Sequence, residues 1–429
     1  MRCLGNRSTS GILELRVVNE VPFVKDVTVI MNPRFVLTFG TPMVAPAGPR
    51  INLFNIAGRS ISGWIPNLKT GNPGHVRQPF CRHLEARLLM YQVSASAVVR
   101  KKEDTQMRAI VYHEYGSPDV LHLTEVEKPA PKDDEVLIKV HAVSVNASDW
   151  EGLRGKPLYA RLGGLRKPNN EILGSDIAGR VEMAGKSIRQ FQAGEEVFGE
   201  MPSYRGGFAE YVCLPEKALA RKPAGLTFEE AAAIPQGAVI ALQGIRDKGQ
   251  VQPGQNVLIN GAGGSAGTFA VQLAKYYGAE VTGVDNTGKL DFMRSLGADH
   301  VIDYTRADFT KNRNQYDLIL DVIAYRSVFA YQRALRLNGR YFFVGGSVAT
   351  LFQILLLGPW IKRTTGRNVR LLAVQRNLKD LVFMTELCEA GKIIPVIDRR
   401  YPLSEVPEAL RYVGEGNAKG KVVIEVSKG

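Results

Sequence analysis

The 429 residues, 45% hydrophobic and 23% charged, give room for two or three domains, and the best apolar run, 351–361, is broken by Gln353, Gly358 and Pro359, so a soluble, cytoplasmic protein without a membrane partner is expected. The net charge of +13 raises nucleic acid, but residues 1–106 hold 14 Lys+Arg against 6 Asp+Glu (+8), leaving 41 against 36 (+5), with no basic stripe interleaved with aromatics. Cys3, Cys81, Cys213 and Cys388 are too scattered for a disulfide framework or a cysteine zinc site.

Residues 1–106 read as an irregular N-terminal extension, with scattered Pro and Gly and no sustained helical or strand period. They lack the parts of a secretory signal, and Glu14, Glu20 and Asp26 argue against a transit peptide. The codons open to Lys102-Glu103-Asp104-Thr105-Gln106 can contain a purine-rich ribosome-binding sequence just before Met107. Two readings stand: a disordered, charged linker region, or a translated leader ahead of a bacterial start at Met107.

From Met107 the pattern changes. Strands are expected at 107–112, 135–145, 177–181, 196–198 and 209–214, punctuated by Pro129, Pro131 and several glycines, which makes a β-rich domain with frequent turns. Thr227, followed by Phe228-Glu229-Glu230-Ala231, offers an N-cap, acidic first-turn residues and helix formers, so a helix starts there.

The most informative stretch is the apolar strand Val257-Leu258-Ile259, the turn Gly261-Ala262-Gly263-Gly264-Ser265-Ala266-Gly267, and the helix-forming run from Thr268 to Lys275. Such a turn lets backbone amides approach a pyrophosphate, while the helix N-terminus supplies about half a positive charge. The G-x-G-x-x-G fingerprint reads here as Ala262-x-Gly264-x-x-Gly267, and Asp285 stands 18 residues further on, at the end of the next strand, where a ribose-binding acid belongs. Gly264, Ser265, Ala266, Gly267 and Asp285 are therefore candidate coenzyme contacts. A helix at 289–296, strands at 300–303 and 317–322, a helix at 328–337 and a strand at 341–344 continue the alternation, which implies a parallel sheet with its ligand at the strands' carboxyl ends.

Several segments resemble the medium-chain dehydrogenase/reductase superfamily, in its zinc-independent quinone oxidoreductase branch: Val145-Asn146-Ala147-Ser148-Asp149-Trp150, Leu173-Gly174-Ser175-Asp176, Gly206-Gly207-Phe208-Ala209-Glu210-Tyr211, the glycine turn, Leu296-Gly297-Ala298-Asp299, and Gly420-Lys421-Val422-Val423-Ile424. They run in the family's order over nearly all of 107–429. The resemblance implies an α/β chain in which a Rossmann-type domain, 233–370, is inserted into a partly open, GroES-like β-barrel catalytic domain made of 107–232 and 371–429. It further implies a homodimer joined through sheet edges of the nucleotide domains.

Zinc-dependent relatives carry Cys where this chain has Asn146 and His-Glu where it has Ser175-Asp176, so the resemblance implies no metal. His113 and His141 have no partners at ligand spacing. Asn146 resembles a residue near the nicotinamide; the alternative is an Asn bonding its own turn. Tyr159 is a candidate proton donor, or else a packing residue. The run Gly345-Gly346-Ser347 resembles the loop that touches the nicotinamide amide, and 351–361 is either a cover for the substrate or a core helix.

The coenzyme signals conflict. Asp285 suits the 2′-hydroxyl of NAD, whereas Lys289 and Tyr304 match positions that meet the 2′-phosphate in NADPH-using relatives, and the balance leans to NADPH. The leading expectation is an NAD(P)H-dependent reductase of quinones, enones or other activated carbonyls. An alcohol dehydrogenase of the same superfamily and a non-enzymatic dinucleotide-binding scaffold are the alternatives.

Overall fold

The computed structural model describes residues 105–161, 164–202 and 205–427, together with the backbone of four strands nearer the N-terminus. Those strands, β1 (Asp26–Asn32), β2 (Phe35–Gly40), β3 (Asn52–Phe54) and β4 (Ser60–Ile61), form an antiparallel sheet in sequence order. Runs of two to seven residues are too short to show as a sustained period in the sequence. The rest of 1–104, where the leader or linker was expected, lies outside the described residues. Contacts divide the chain into two compact units, Met1–Leu88 and Leu89–Gly429.

In the second unit β5 (Gln106–Val111) pairs with β6 (His122–Glu127) as a hairpin. A seven-stranded sheet is then built on β7 (Glu135–Val145), whose eleven residues pair with β8 (Asp176–Ala184), β10 (Tyr211–Pro215) and the C-terminal strand. Outward from β8 lie β9 (Glu196–Glu200) and β11 (Leu219–Arg221). Two irregularities in the β7–β8 register curl the sheet toward a barrel. Val136, Ile138, Val140, Phe208 and Leu214 fill its interior.

The helix Phe228–Ala233 starts where the capping residues require it: Thr227 accepts the N–H of Glu230 and the Glu230 carboxylate accepts that of Thr227. Helix Pro235–Leu242 then leads into the second sheet. There β12 (Asn256–Asn260), β13 (Glu280–Asp285), β14 (His300–Asp303), β15 (Tyr316–Asp321), β16 (Leu335–Phe343) and β17 (Asn368–Leu371) are all parallel, in spatial order β14-β13-β12-β15-β16-β17. Two mononucleotide-binding halves give this order, and a crevice opens where it reverses, between β12 and β15. Both faces of β12 are buried, Val257 and Ile259 in one core and Leu258 in another, which is why it reads as an unbroken apolar run.

The expected helix at 328–337 is shorter, Val328–Ala334, because Leu335 already pairs with Tyr316 in the sheet and the chain then irregularly turns at Asn338, whose φ is +65°. The segment 351–361 lies within the helix Val348–Thr365, which buries Thr350, Ile354, Gly358 and Ile361 and leaves Phe352, Leu355, Leu356 and Trp360 exposed. Helix Leu378–Glu389 packs its Leu381, Met384 and Leu387 into the core shared with β12 and helix Ser265–Tyr276. The chain then rejoins the barrel sheet through β18 (Ile397–Pro402) and β19 (Lys421–Glu425), the latter beside β7. Among the described residues no helix is long and apolar enough to cross a membrane.

Candidate active site

Beyond the end of β12, Gly261 takes a φ of +81° and Gly264 stands as N-cap of the helix Ser265–Tyr276 with an extended backbone. No side chain caps this helix, so the amides of Ser265, Ala266 and Gly267 keep the free donors that every helix start presents. Gly267 has to be glycine: a Cβ there would sit 2.1 Å from the Gly261 carbonyl oxygen. Above Gly264 the space is open, since a Cβ would meet only that same carbonyl, at 3.4 Å. A bare helix N-terminus, a close-packed turn and open space over it fit the diphosphate of a dinucleotide.

Asp285, at the end of β13, is buried, and its carboxylate is engaged locally. Oδ2 accepts the N–H of Gly263 at 3.0 Å and Oδ1 that of Asn286 at 2.9 Å, while the Lys289 ammonium lies 3.6 Å from Oδ1. The Lys289 stem runs against Gly263, so that a Cβ on this glycine would meet it at 2.7 Å. Asp285 thus braces the glycine turn and carries its own counter-ion. Tyr304 is half exposed nearby, its N–H on the Asp285 carbonyl at 3.2 Å.

Across the crevice, 345–347 are welded to the segment that follows β15. The N–H of Ala324 donates to Gly345 and that of Ser347 to Ala324, both at 2.8 Å. Gly346 has φ +138°, and a Cβ would come within 2.2 Å of the Ala324 oxygen. The Ser347 hydroxyl caps helix Val348–Thr365 by accepting the Thr350 N–H at 3.1 Å. Only the backbone of this loop is left to face a ligand.

Asn146 caps helix Ala147–Arg154 and is 2% exposed. Its Nδ2 donates to Ser175 Oγ at 2.8 Å and to Asp176 Oδ2 at 2.9 Å, and its Oδ1 accepts from Lys421 Nζ at 2.7 Å. Because an ammonium only donates, it fixes which way the carboxamide faces. Both donors of Asn146 are then engaged inside the protein. Lys421 is wholly buried, 3.3 Å from Asp176 Oδ2; burial pushes its amine below the usual value while Asp176 holds it up.

Around this pair the buried carboxyls are displaced upward. Asp149, which accepts the amides of Asn146 and Gly174, is pushed up to about 7 by burial. Glu200, directly across from Asp176 in the β8–β9 ladder, reaches about 7 through burial and that neighbouring charge. Gln236 bridges outward, accepting from Ser148 Oγ at 3.2 Å and donating to Glu200 at 3.1 Å.

Tyr159 stands apart from this network, 42% exposed on a short helical turn, with its hydroxyl 3.4 Å from the Glu151 carboxylate. Burial and Glu151 push the phenol up to about 12. It stays protonated at neutral pH and is a weak acid there. His141 stacks on Phe228 with ring centroids 4.2 Å apart, and His113 pairs with Glu171.

The ground where zinc-dependent relatives hold their metal is formed here by Asn146, Ser175 and Asp176. It contains an amide, a hydroxyl and one carboxylate closed around a lysine ammonium. Among the described residues, no group of three or more His, Cys, Asp or Glu is placed to hold a metal. Lys421, Gln236 and Glu200 went unsuspected in the sequence, the first because a lone lysine beginning a strand reads as a solvated edge.

A parallel sheet with a bare helix N-terminus at its crevice, set into a barrel with a second glycine loop opposite, defines a dinucleotide-dependent oxidoreductase fold. Residues 132–224 match the alcohol dehydrogenase GroES-like domain family and residues 296–424 the zinc-binding dehydrogenase family. The chain is 34% identical over 356 residues, 79% of its length, to 85% of a 2-methylene-furan-3-one reductase of Solanum lycopersicum. It is 33% identical over 348 residues, 77% of its length, to 83% of a chloroplastic NADPH-dependent alkenal/one oxidoreductase of Arabidopsis thaliana. A solved quinone oxidoreductase from Coxiella burnetii superposes with a TM-score of 0.68 at 28% identity, covering 75% of this chain and all of that one. The chain belongs to the medium-chain dehydrogenase/reductase superfamily, in its quinone oxidoreductase-like branch.

Proposed function

We propose that the protein is an NAD(P)H-dependent reductase of enones, quinones or other activated carbonyls that works without zinc. The single observation that carries this reading is the uncapped N-terminus of helix Ser265–Tyr276 at the point where the sheet order reverses, facing a loop pinned by Gly346. A bound reduced nicotinamide supplies a hydride. The amides of Ser265, Ala266 and Gly267 bind the diphosphate, the backbone of 345–347 orients the ring, and an acceptor conjugated to a carbonyl is one that hydrogen bonds can polarise. Tyr159, partly exposed, would donate one such bond by turning its hydroxyl from the Glu151 carboxylate 3.4 Å away.

NADPH is the favoured coenzyme. The Asp285 carboxylate is already satisfied by two backbone amides and offset by Lys289, which weakens its repulsion of a 2′-phosphate and leaves Lys289 and Tyr304 on that side. The absence of zinc is favoured by Lys421, whose ammonium holds Asn146 and Asp176 where a metal would need them. A homodimer is favoured by the free edge of β17 and by the exposed apolar side chains of the helix beside it, Phe352, Leu355, Leu356 and Trp360.

The test is coenzyme oxidation with NADH and NADPH against quinones, enones and aldehydes, with metal analysis on the same preparation. Turnover of enones or quinones by metal-free protein is expected. Activity confined to alcohols and tracking bound zinc would favour an alcohol dehydrogenase, and coenzyme binding without any turnover would favour a scaffold.

A further inference from the structure

Beneath the crevice lies a carboxylate that sequence reasoning passed over. Asp321 ends β15, opposite Asn260 at the end of β12, and is wholly buried. Its Oδ1 accepts from Asn260 Nδ2 at 2.7 Å and from the N–H of Ile323 at 3.2 Å, and its Oδ2 from the Tyr341 hydroxyl at 2.9 Å. Tyr331 stacks on Tyr341 at 4.3 Å, and its hydroxyl is among the groups that hold the carboxylate's pKa down. The Tyr331 hydroxyl in turn accepts the N–H groups of Tyr325 at 3.1 Å and Arg326 at 3.0 Å. Asn260 closes the ring by donating to the Ile323 carbonyl at 2.9 Å.

Residues 322–326 are therefore held at both ends by groups that converge on one buried acid. This segment holds the second glycine loop, through Ala324 with Gly345 and Ser347, and through the Arg326 carbonyl, which accepts from Thr350 Oγ1 at 3.0 Å. Asn260 is also the last residue before the diphosphate turn. The chain of contacts thus spans the crevice from one wall to the other without entering it.

We propose that Asp321 is a positioning residue for the nicotinamide end of the site: through Tyr331 and Asn260 it sets 322–326, and with them 345–347, in register with the glycine turn. The adenosine half of a dinucleotide needs only one wall, the turn with its helix and the Asp285–Lys289 pair beside it. The nicotinamide half needs both walls, so the loss of this device would separate the two. The inference rests on the coenzyme reading above.

The discriminating variant is Tyr331→Phe, which keeps the ring stack and the Asp321 carboxylate and removes the hydroxyl that accepts two backbone amides and acts on that carboxylate; Asp321→Asn is its stronger companion. Affinities for 2′-phospho-ADP-ribose and for NADPH, turnover with an enone acceptor, and thermal midpoint are measured on wild type and both variants. In Tyr331→Phe the half-ligand is expected to bind within about twofold of wild type, while kcat falls about tenfold, the scale of one displaced hydrogen-bonded loop. Equal losses for half-ligand and whole coenzyme, or unchanged turnover in both variants, would overturn the proposal while leaving the coenzyme reading intact. A wild type that binds neither NADPH nor the half-ligand would overturn the coenzyme reading itself, and this inference with it.

Discussion

Nζ of Lys421 lies 2.7 Å from Oδ1 of Asn146, two buried residues 275 positions apart in the chain. The contact exists because β19 inserts beside β7, with Val422 opposite Val145, which delivers Lys421 to the mouth of the helix that Asn146 caps. The ammonium is also the partner of Asp176, whose Oδ2 further accepts from Ser144 Oγ at 3.1 Å and from the Gln236 amide at 3.3 Å.

Replacement of Lys421 by Met would leave the Asp176 carboxylate buried without its counter-charge. A loss of about 3–5 kcal/mol is expected, since an uncompensated buried charge is the costly product of breaking such a pair. Denaturant midpoints test this, and Lys421→Met combined with Asp176→Asn should recover part of the loss. A midpoint unmoved by Lys421→Met would mean that the pair contributes nothing to stability.

Coenzyme preference is expected to follow Lys289. Lys289→Ala should raise KM for NADPH by about tenfold or more, the scale of one charge-assisted phosphate contact, and change KM for NADH little. Asp285→Ser should raise the preference for NADPH by removing the charge that holds Lys289 back, though it also frees the Gly263 amide. Steady-state kinetics with both coenzymes decide it; equal changes for the two would assign Lys289 to the turn's packing alone.

Acid should affect stability and activity in opposite senses. Burial pushes Asp321 up to about 6 from 3.8 in an unfolded chain, with Asn260, Tyr331 and Tyr341 pulling it back. The folded state therefore binds this proton more tightly, and stability rises as pH falls from about 6 toward 4. Asp149 and Glu200, both near 7, act in the same direction at higher pH. Protonated Asp321, however, can no longer accept from all its donors, so kcat is expected to decline below about pH 6 while the thermal midpoint does not. In Asp321→Asn that acid limb should vanish; its persistence would place the titrating group elsewhere.

How much was legible follows from which contacts are local. The strand, glycine turn and helix at 256–276 could be read directly, because each requirement is met within a few residues of itself, as Gly267 against Gly261 illustrates. The position of Asp285 at the end of its strand was legible but its contacts were not, since the direction of its carboxylate depends on where the fold brings the Gly263 amide. The partners of Asn146 were not legible, because nothing near it in sequence announces Lys421. Asp321 passed unnoticed as the polar end of an apolar strand; only the packing of helix Val328–Ala334 and β16 brings the Tyr341 hydroxyl onto it and stacks Tyr331 on that ring.

The most direct measurement is a fluorescence titration of the purified protein with NADPH and NADH, alongside Gly267→Val, whose side chain would occupy the space now filled by the Gly261 carbonyl. Saturable binding to the wild type with a dissociation constant on the order of 1–100 μM is expected, weakened by roughly a hundredfold in the variant. A wild type that responds to neither coenzyme, or a folded Gly267→Val that binds as well as wild type, would contradict the placement of the diphosphate at this helix.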